Sequence, residues 1–297
     1  MTLISRLVFF NQKKTLSKSS DRIKTTEISV VVPVKDNHQG INNYLEQFFK
    51  THSPRDYPKE IIVVDNNSSI PIRINKNYRS RGLKIILLHC KRPGPGAARN
   101  LGARLARGQW VLFNDSDCLP TSSLLSGYLK SCNRSIAYAG NVKSKGADRL
   151  SRYYDSQEIL IPLKIYNYKG AFVPQYLITA NALIWRKAFL EVNGFNETIT
   201  LAGGEDIDLG LRLSQIGQLS YAMESVVHHD FNDGLTGFRK RFIRYGKGNK
   251  VVANLWNADL RPRLFRPNKR TLYNEVVAKL QYVYLLIGYL KHPKTKD

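Results

Sequence analysis

Asp115-Ser116-Asp117 stands just after the apolar run Trp110-Val111-Leu112-Phe113. Two carboxylates one residue apart at the end of a buried strand are costly unless a cation or hydrogen-bond donors compensate them. A divalent metal holding a diphosphate is one such compensator; a polar turn is the plainer reading, since Asp, Ser and Asn often end strands. A second acidic group, Gly203-Gly204-Glu205-Asp206-Ile207-Asp208, precedes Leu209, Leu213 and Ile216, which repeat at helical spacing. Capping against the helix macrodipole accounts for one or two acids there. Three within four residues also suit a carboxylate that takes a proton from a hydroxyl as a general base. Val226-Val227-His228-His229-Asp230 adds two adjacent imidazoles. They point in different directions, so at most one ligates a metal.

The elements that must position these groups are readable in order. Ile28 to Val34 is a β-rich run, and Ile41, Tyr44, Leu45, Phe48 and Phe49 follow at helical spacing. Ile61–Val64 and Lys84–Leu88 are further short apolar runs bounded by polar turn residues. Pro93-Gly94-Pro95-Gly96 opens a helix that carries Ala97, Ala98, Leu101 and Leu105 and closes near Gly108. The Trp110–Phe113 strand comes next, and Tyr221–Met223 marks a later one. Alternating strands and helices predict an α/β fold with a mostly parallel sheet flanked by helices. Ligands of such sheets bind at the carboxyl ends of the strands. Three polar groups fall there: Lys35-Asp36-Asn37, Asp65-Asn66-Asn67-Ser68 and Asn114-Asp115-Ser116-Asp117. Acids along one edge suit the ribose hydroxyls and base edge of a nucleoside, with a metal for its phosphates.

Several alternatives are excluded. Gly94-x-Gly96-x-x-Arg99 follows the third strand and carries Arg99 where a dinucleotide fingerprint needs its third glycine. No P-loop and no Gly-x-Ser-x-Gly element is present. Cys90, Cys118 and Cys132 are three in number and lack Cys-x-x-Cys spacing, which argues for a reducing compartment and against a zinc site.

The chain of 297 residues has a formal charge of +23, and Phe238–Asp297 holds fifteen Lys/Arg against three Asp/Glu. Such a block attracts phosphates on nucleotides, nucleic acid or anionic lipid. Leu235, Phe238, Phe242 and Tyr245 are spaced as a helical stripe rather than as stacking platforms, which argues against nucleic acid. The run around Leu280–Leu290, with Lys279 and Lys291, reads as a packed helix or one lying in a membrane interface. Leu3–Phe10 is too short to span a bilayer and lacks a cleavage site, and Asn11–Thr26 is polar. The expected division is a flexible basic lead-in over 1–27, a catalytic domain over 28–232 and a basic, amphipathic helical region over 233–297.

Taken together the motifs resemble a family 2 glycosyltransferase of the GT-A fold. The resemblance spans Ile28 to Asn249 and rests on nine segments in order. They include Val30-Val31-Val32-Pro33-Val34-Lys35-Asp36-Asn37, Ile61-Ile62-Val63-Val64-Asp65-Asn66-Asn67-Ser68 and Gly94-Pro95-Gly96-Ala97-Ala98-Arg99-Asn100. Asp115-Ser116-Asp117, Thr179-Ala180-Asn181-Ala182, Gly194-Phe195-Asn196-Glu197, Glu205-Asp206-Ile207-Asp208, His228 and Arg244-Tyr245-Gly246-Lys247-Gly248 complete the series.

The resemblance implies that Pro33, Val34, Asp36 and Asp65 hold the nucleoside. It makes Asp115 the ribose or metal-shell partner and Asp117 the direct metal ligand. His228 would complete the shell, favoured over His229 by its spacing to Arg244-Tyr245-Gly246. Asp206 is the expected general base with Glu205 as its neighbour or substitute. Thr179, Ala180, Asn181, Gly203 and Gly204 are expected around the donor sugar and acceptor, and Arg244 and Lys247 near the diphosphate. The implied cofactor is Mn²⁺ or Mg²⁺, and the implied reaction is inverting transfer of a sugar from a nucleoside diphosphate, UDP favoured. The acceptor hydroxyl would belong to a surface polysaccharide or lipid-linked glycan. The basic carboxyl-terminal region suggests a cytoplasmic enzyme resting on an anionic membrane. Two rivals are a nucleotidyltransferase, which wants a glycine-rich, lysine-bearing loop where Lys35-Asp36-Asn37-His38 stands, and a non-catalytic anion-binding protein.

Overall fold

β-Branched residues dominate the first strand, and their alternation sorts them onto two buried faces. In β1 (Ile28–Val34), Val30 and Val32 join one core layer while Val31 joins the other. The same division recurs along later strands: Ile61 and Val63 against Ile62 and Val64, and Trp110 and Leu112 against Val111 and Phe113. Side chains of a strand alternate in direction, so a run apolar at every position must be covered on both sides. The computed structural model describes Leu16 and residues 22–167, 170–231 and 233–291.

In chain order β1 is followed by α1 (His38–Thr51), β2 (Glu60–Asp65), β3 (Ile85–His89), α2 (Pro95–Leu105), β4 (Trp110–Asn114), β5 (Cys118–Pro120) and α3 (Leu124–Lys130). Then come β6 (Ala137–Ser144), α4 (Arg149–Ser156), β7 (Lys164–Tyr166), β8 (Phe172–Pro174), β9 (Asn181–Trp185) and α5 (Arg186–Glu191). α6 (Glu205–Ile216), β10 (Leu219–His229), α7 (Gly234–Leu255) and α8 (Leu272–Leu290) complete the chain. Eight strands form one sheet in the order β3-β2-β1-β4-β9-β6-β10-β5, and β7 and β8 form a separate hairpin. β1, β2, β3 and β4 are parallel neighbours, as are β6 and β10. β9 runs antiparallel to β4 and β6, and β5 antiparallel to β10. The mostly parallel α/β sheet expected from the sequence is therefore present, with β9 reversed at its centre.

α1 covers one face through Ile41, Tyr44, Leu45, Phe48 and Phe49. α2 covers the other through Ala97, Ala98 and Ala103, joined by Leu209 and Leu213 of α6. Phe238 and Phe242 of α7 and Val277, Ala278 and Leu285 of α8 lie in the same cluster as β1, so the carboxyl-terminal helices belong to the core. α7 and α8 cross at glycines: a β-carbon at Gly246 would collide with the Leu285 carbonyl, and one at Gly288 with the Ile243 carbonyl.

Two expectations change. Residues 1–15 and 17–21 of the lead-in lie outside the described residues. Its later part is packed: Leu16 donates its N–H to the Ile216 carbonyl at 2.7 Å, Ile23 is buried, and Thr25–Glu27 form a 3-10 turn. The strand expected over Tyr221–Met223 runs on to His229, passing a register shift between Ala222 and Val226. That bulge interrupts the apolar alternation at Glu224, which is why the extension escapes sequence patterning.

Candidate active site

β1 and β4 are parallel neighbours, so the turns after Val34 and Asn114 open at the same edge of the sheet. There they border a cleft of about 720 Å³ whose lining includes Pro33, Val34, Asp115, Asp117, Glu205 and Asp206. Thr179, Ala180, Gly203, Gly204 and Arg244 line it as well. Groups separated by up to some two hundred residues of sequence thus meet where an α/β sheet presents its ligands.

β5 decides which histidine enters. Its antiparallel pairing with β10 sets Cys118 opposite His229 and Leu119 opposite His228, and the Asp230 N–H donates to the Asp117 carbonyl at 3.2 Å. His229 Nε2 consequently lies 3.3 Å from Asp117 Oδ2. His228, one position earlier on a pleated strand, points to the opposite face, towards Lys143 and Asp155. Burial, and then Lys143, pull its pKa below the usual histidine range. The expectation that His228 stands by the aspartates is therefore corrected: His229 does.

His229 Nδ1 is 3.1 Å from the Asp230 carbonyl, which can only accept, so Nδ1 carries a proton and Nε2 is the ring nitrogen that faces Asp117. A lone pair and a carboxylate 3.3 Å apart repel unless a proton or cation lies between them. An oxygen and an imidazole nitrogen so placed fit Mn²⁺ or a similar divalent ion. Cys118 is the third group within 4.8 Å, but burial, followed by Asp117 and Asp115, pushes its thiol well up, so it stays protonated and is a poor ligand.

A buried arginine links the two acidic groups. Arg99 of α2 donates through Nη2 to Asp115 at 2.6 Å and through Nη1 to Glu205 at 3.0 Å. Its guanidinium also packs 5.5 Å from the Phe195 ring centre. Burial works against its charge, but Asp115 and Glu205 more than restore it. Arg99 Nε and Glu205 Oε2 are buried without a hydrogen-bond partner. Sequence reasoning placed Arg99 where a fingerprint wants glycine and within one family-like segment, and gave it no site role. Its partners are 16 and 106 residues away, beyond the reach of any local pattern.

α6 begins at Glu205, with Gly204 as N-cap at φ 95°, a left-handed conformation that glycine adopts without strain. Gly204 sits against the Gly248 carbonyl of α7, where a β-carbon would come within 2.9 Å. This close packing holds the start of α6 beside α7. Asp206 is half-buried and accepts from the Ile207 N–H at 2.9 Å. Burial first, then Glu205 alongside, push its pKa up to about 7. Burial likewise raises Glu205, with Arg99 opposing. Asp208, the third acid, points elsewhere: it pairs with Arg212 at 2.7 Å and accepts from the Trp256 indole at 3.0 Å.

Some expected residues do not line the cleft. Asp65 is buried and accepts from the Ser68 N–H at 3.0 Å and the Ile72 N–H at 3.1 Å, with His89 3.4 Å away. Asp36, at φ 51°, accepts from the N–H and the hydroxyl of Ser69, each at 2.7 Å. Both acids shape the 65–72 loop beside Pro33 and Val34. Asn181 was expected near the sugar, but it is fully buried and ties strands together. Its amide donates to the Asn141 and Ser225 carbonyls at 3.1 and 3.0 Å, and its oxygen accepts from Tyr128 at 2.8 Å. Lys247 is absent from the lining, whereas Arg244 lies in it, 5.6 Å from the Tyr245 ring centre. Gln281 and Leu285 of α8 are lining residues that the sequence reading assigned no site role.

Comparison with known proteins bears on the fold and the family. The chain is 28% identical over 229 residues to a pre-mycofactocin glycosyltransferase of Mycobacterium tuberculosis, a match covering 74% of this chain and 46% of the relative. The chain thus spans about half the length of that curated relative. Among solved structures, the mannosyltransferase PcManGT from Pyrobaculum calidifontis, in complex with GDP-Man and Mn²⁺, superposes with a TM-score of 0.54 at 16% identity, covering 90% of this chain and 74% of that one. Staphylococcus aureus TarS 1-349 in complex with UDP gives 0.51 at 19% identity, covering 78% and 71%. At these identities the two structures establish the GT-A fold. The family model for the N-terminal domain of galactosyltransferase matches residues 165–233. The model for glycosyl transferase family 2 matches residues 29–192, more than half of the chain and the whole stretch from β1 through Asp115-Ser116-Asp117 to α5, and to that family the chain belongs.

Proposed function

We propose that the protein transfers a sugar, with inversion, from a nucleoside diphosphate sugar to an acceptor hydroxyl, using Asp206 as general base. The observation that carries this reading is the meeting in one cleft of the Asp117–His229 pair with Asp206, a carboxylate whose pKa stands near 7. A base poised close to neutral pH is available in its ionised form and still binds a proton in the transition state. Asp206 takes the proton of the acceptor hydroxyl as that oxygen attacks the anomeric carbon. The bond from that carbon to the diphosphate breaks on the opposite face, and the electron pair leaves with the nucleoside diphosphate.

Pro33, Val34 and the loop shaped by Asp36 and Asp65 form the nucleoside end, and Asp115, held by Arg99, faces the ribose. Asp117 and His229 are the residues that would hold a divalent ion, Mn²⁺ or Mg²⁺. Such an ion would neutralise negative charge growing on the leaving diphosphate. Thr179, Ala180, Gly203 and Gly204 offer small side chains or none where the sugar and acceptor meet, and Arg244 adds positive charge. Support for the donor class comes from the solved relatives, crystallised with UDP or with GDP-Man and Mn²⁺. A UDP-sugar is the first donor to test, and the acceptor is a hydroxyl of a polysaccharide or lipid-linked glycan at a cytoplasmic membrane face. Donor turnover across a panel of nucleotide sugars, repeated with Asp206→Asn and Asp117→Ala, tests the assignment. Unchanged transfer in both variants would overturn it.

A further inference from the structure

α8 has two faces of opposite use. Gln281 and Leu285 line the catalytic cleft, and Val277, Ala278 and Leu285 sit in the core. At about 100° per residue, Leu272, Val276, Lys279, Val283 and Leu290 fall within roughly 60° of one another on the other side. All five are exposed, and the apolar ones strongly so: Leu272 at 85%, Leu290 at 71%, Val276 at 50% and Val283 at 43%. An apolar stripe running the length of a 19-residue helix, about 28 Å at 1.5 Å per residue, is unusual on a surface that touches only water.

Cations bracket the stripe. Lys269 and Arg270 lie just before Leu272, Lys291 just after Leu290, and Lys279 interrupts the row, all of them exposed; Glu275, 3.4 Å from Arg270, is the one acid of α8. The connection that leads into α8 adds exposed Arg266, together with exposed Arg261 and Arg263, which share Asp259. Among the described residues no helix is long and apolar enough to cross a membrane. Apolar residues exposed on one side, with lysine and arginine at the margins, suit a helix lying in the plane of an anionic lipid surface.

We propose that α8 docks the enzyme on an anionic bilayer through Leu272, Val276, Val283 and Leu290, with Lys269, Arg270, Lys279 and Lys291 at the lipid phosphates. The inner face of the same helix walls the cleft, so docking holds the catalytic site about one helix diameter, 10–12 Å, from the lipid. The acceptor class that fits is a hydroxyl carried on a lipid headgroup or a lipid-linked glycan, reached without leaving the membrane surface. This last step rests on the glycosyltransferase reading; the docking does not.

Vesicle sedimentation of the full chain, without donor or acceptor, tests the docking alone. Binding is expected to vesicles of phosphatidylcholine with 30% phosphatidylglycerol, to weaken at least tenfold in high salt, and to be near background on phosphatidylcholine alone. The double variant Leu272→Glu/Leu290→Glu, altered only at exposed positions, is expected to bind at least tenfold more weakly while keeping donor turnover unchanged. Wild-type failure to bind the anionic vesicles, or equal binding by the variant, would overturn the proposal. So would a halving of the solution mass in the variant, which would assign the stripe to a second copy of the chain. Loss of donor turnover in Asp206→Asn, read separately, reports on the catalytic reading alone.

Discussion

Acidic side chains beside Pro33 and Val34 live under conditions opposite to those at the start of α6. Around Asp36 and Asp65, N–H groups of the 65–72 loop surround the carboxylates. Hydrogen bonds from Ser69 pull Asp36 below its usual range, and those to Asp65 outweigh the burial that would raise it. At the start of α6, where Glu205 accepts from Arg99 and Asp206 from the Ile207 N–H, burial outweighs those donors and drives both upwards. Hydrogen bonding to the charged form and desolvation move a carboxyl in opposite directions. The contrast separates architecture from chemistry: the acids that are saturated with donors build a loop, and the one left short of donors is free to exchange a proton.

The most severe test of this contrast is Asp206→Asn. Removing a general base costs about 10²–10⁴-fold in rate, so transfer is expected to fall about a thousandfold while donor binding holds, as steady-state kinetics and calorimetry would show. Wild-type transfer should rise with pH through about 7 and then level, and the variant's residual rate should lack that limb. Stability should run the other way. A carboxyl raised from 3.8 to about 7 keeps a proton in the folded chain that the unfolded chain has released, so its contribution falls as pH climbs between those values. Chemical denaturation across pH 4–7 should show a shallower slope in Asp206→Asn than in the wild type, the remainder coming from other raised carboxyls such as Glu205 and Asp155.

Arg99→Met comes next. It strands Asp115 and Glu205 without their shared cation, and breaking a buried ion pair costs about 3–5 kcal/mol. Denaturant midpoints would measure the loss; a shift below about 1 kcal/mol would mean that the arginine contributes little to holding the two acids together. Asp65→Asn should cost less, about 1.5–3 kcal/mol, because it weakens charge-assisted hydrogen bonds to two backbone groups, and donor KM should rise with it. The mildest change separates the histidines. After chelation, His229→Ala should need more Mn²⁺ to recover activity, whereas His228→Ala should titrate as wild type and stay within about 0.5 kcal/mol in stability.

Much of the β1–β4 half is legible in the sequence because its signals are local. Runs such as Ile61-Ile62-Val63-Val64 announce buried strands, and Asp65 and Asp115 follow directly at their ends. The half from β5 to α8 depends on long-range pairings that leave no local trace. β5 is three residues long and shows no periodicity, yet its register with β10 selects His229. Asn181 carries a motif that suggests sugar binding, but a buried amide surrounded by strand carbonyls satisfies those first. Arg99 becomes visible only once α2 and α6 are placed side by side.

The glycine crossing of α7 and α8 has a mechanical consequence. With no side chains between them at Gly246 and Gly288, the two helices are in direct backbone contact, and Gly248 lies against Gly203 and Gly204 at the head of α6. Force applied to the outside of α8 therefore reaches the backbone beside Asp206 with little slack. Gly246→Ala would act as a wedge in that linkage, expected to lower the melting temperature, which scanning calorimetry would report.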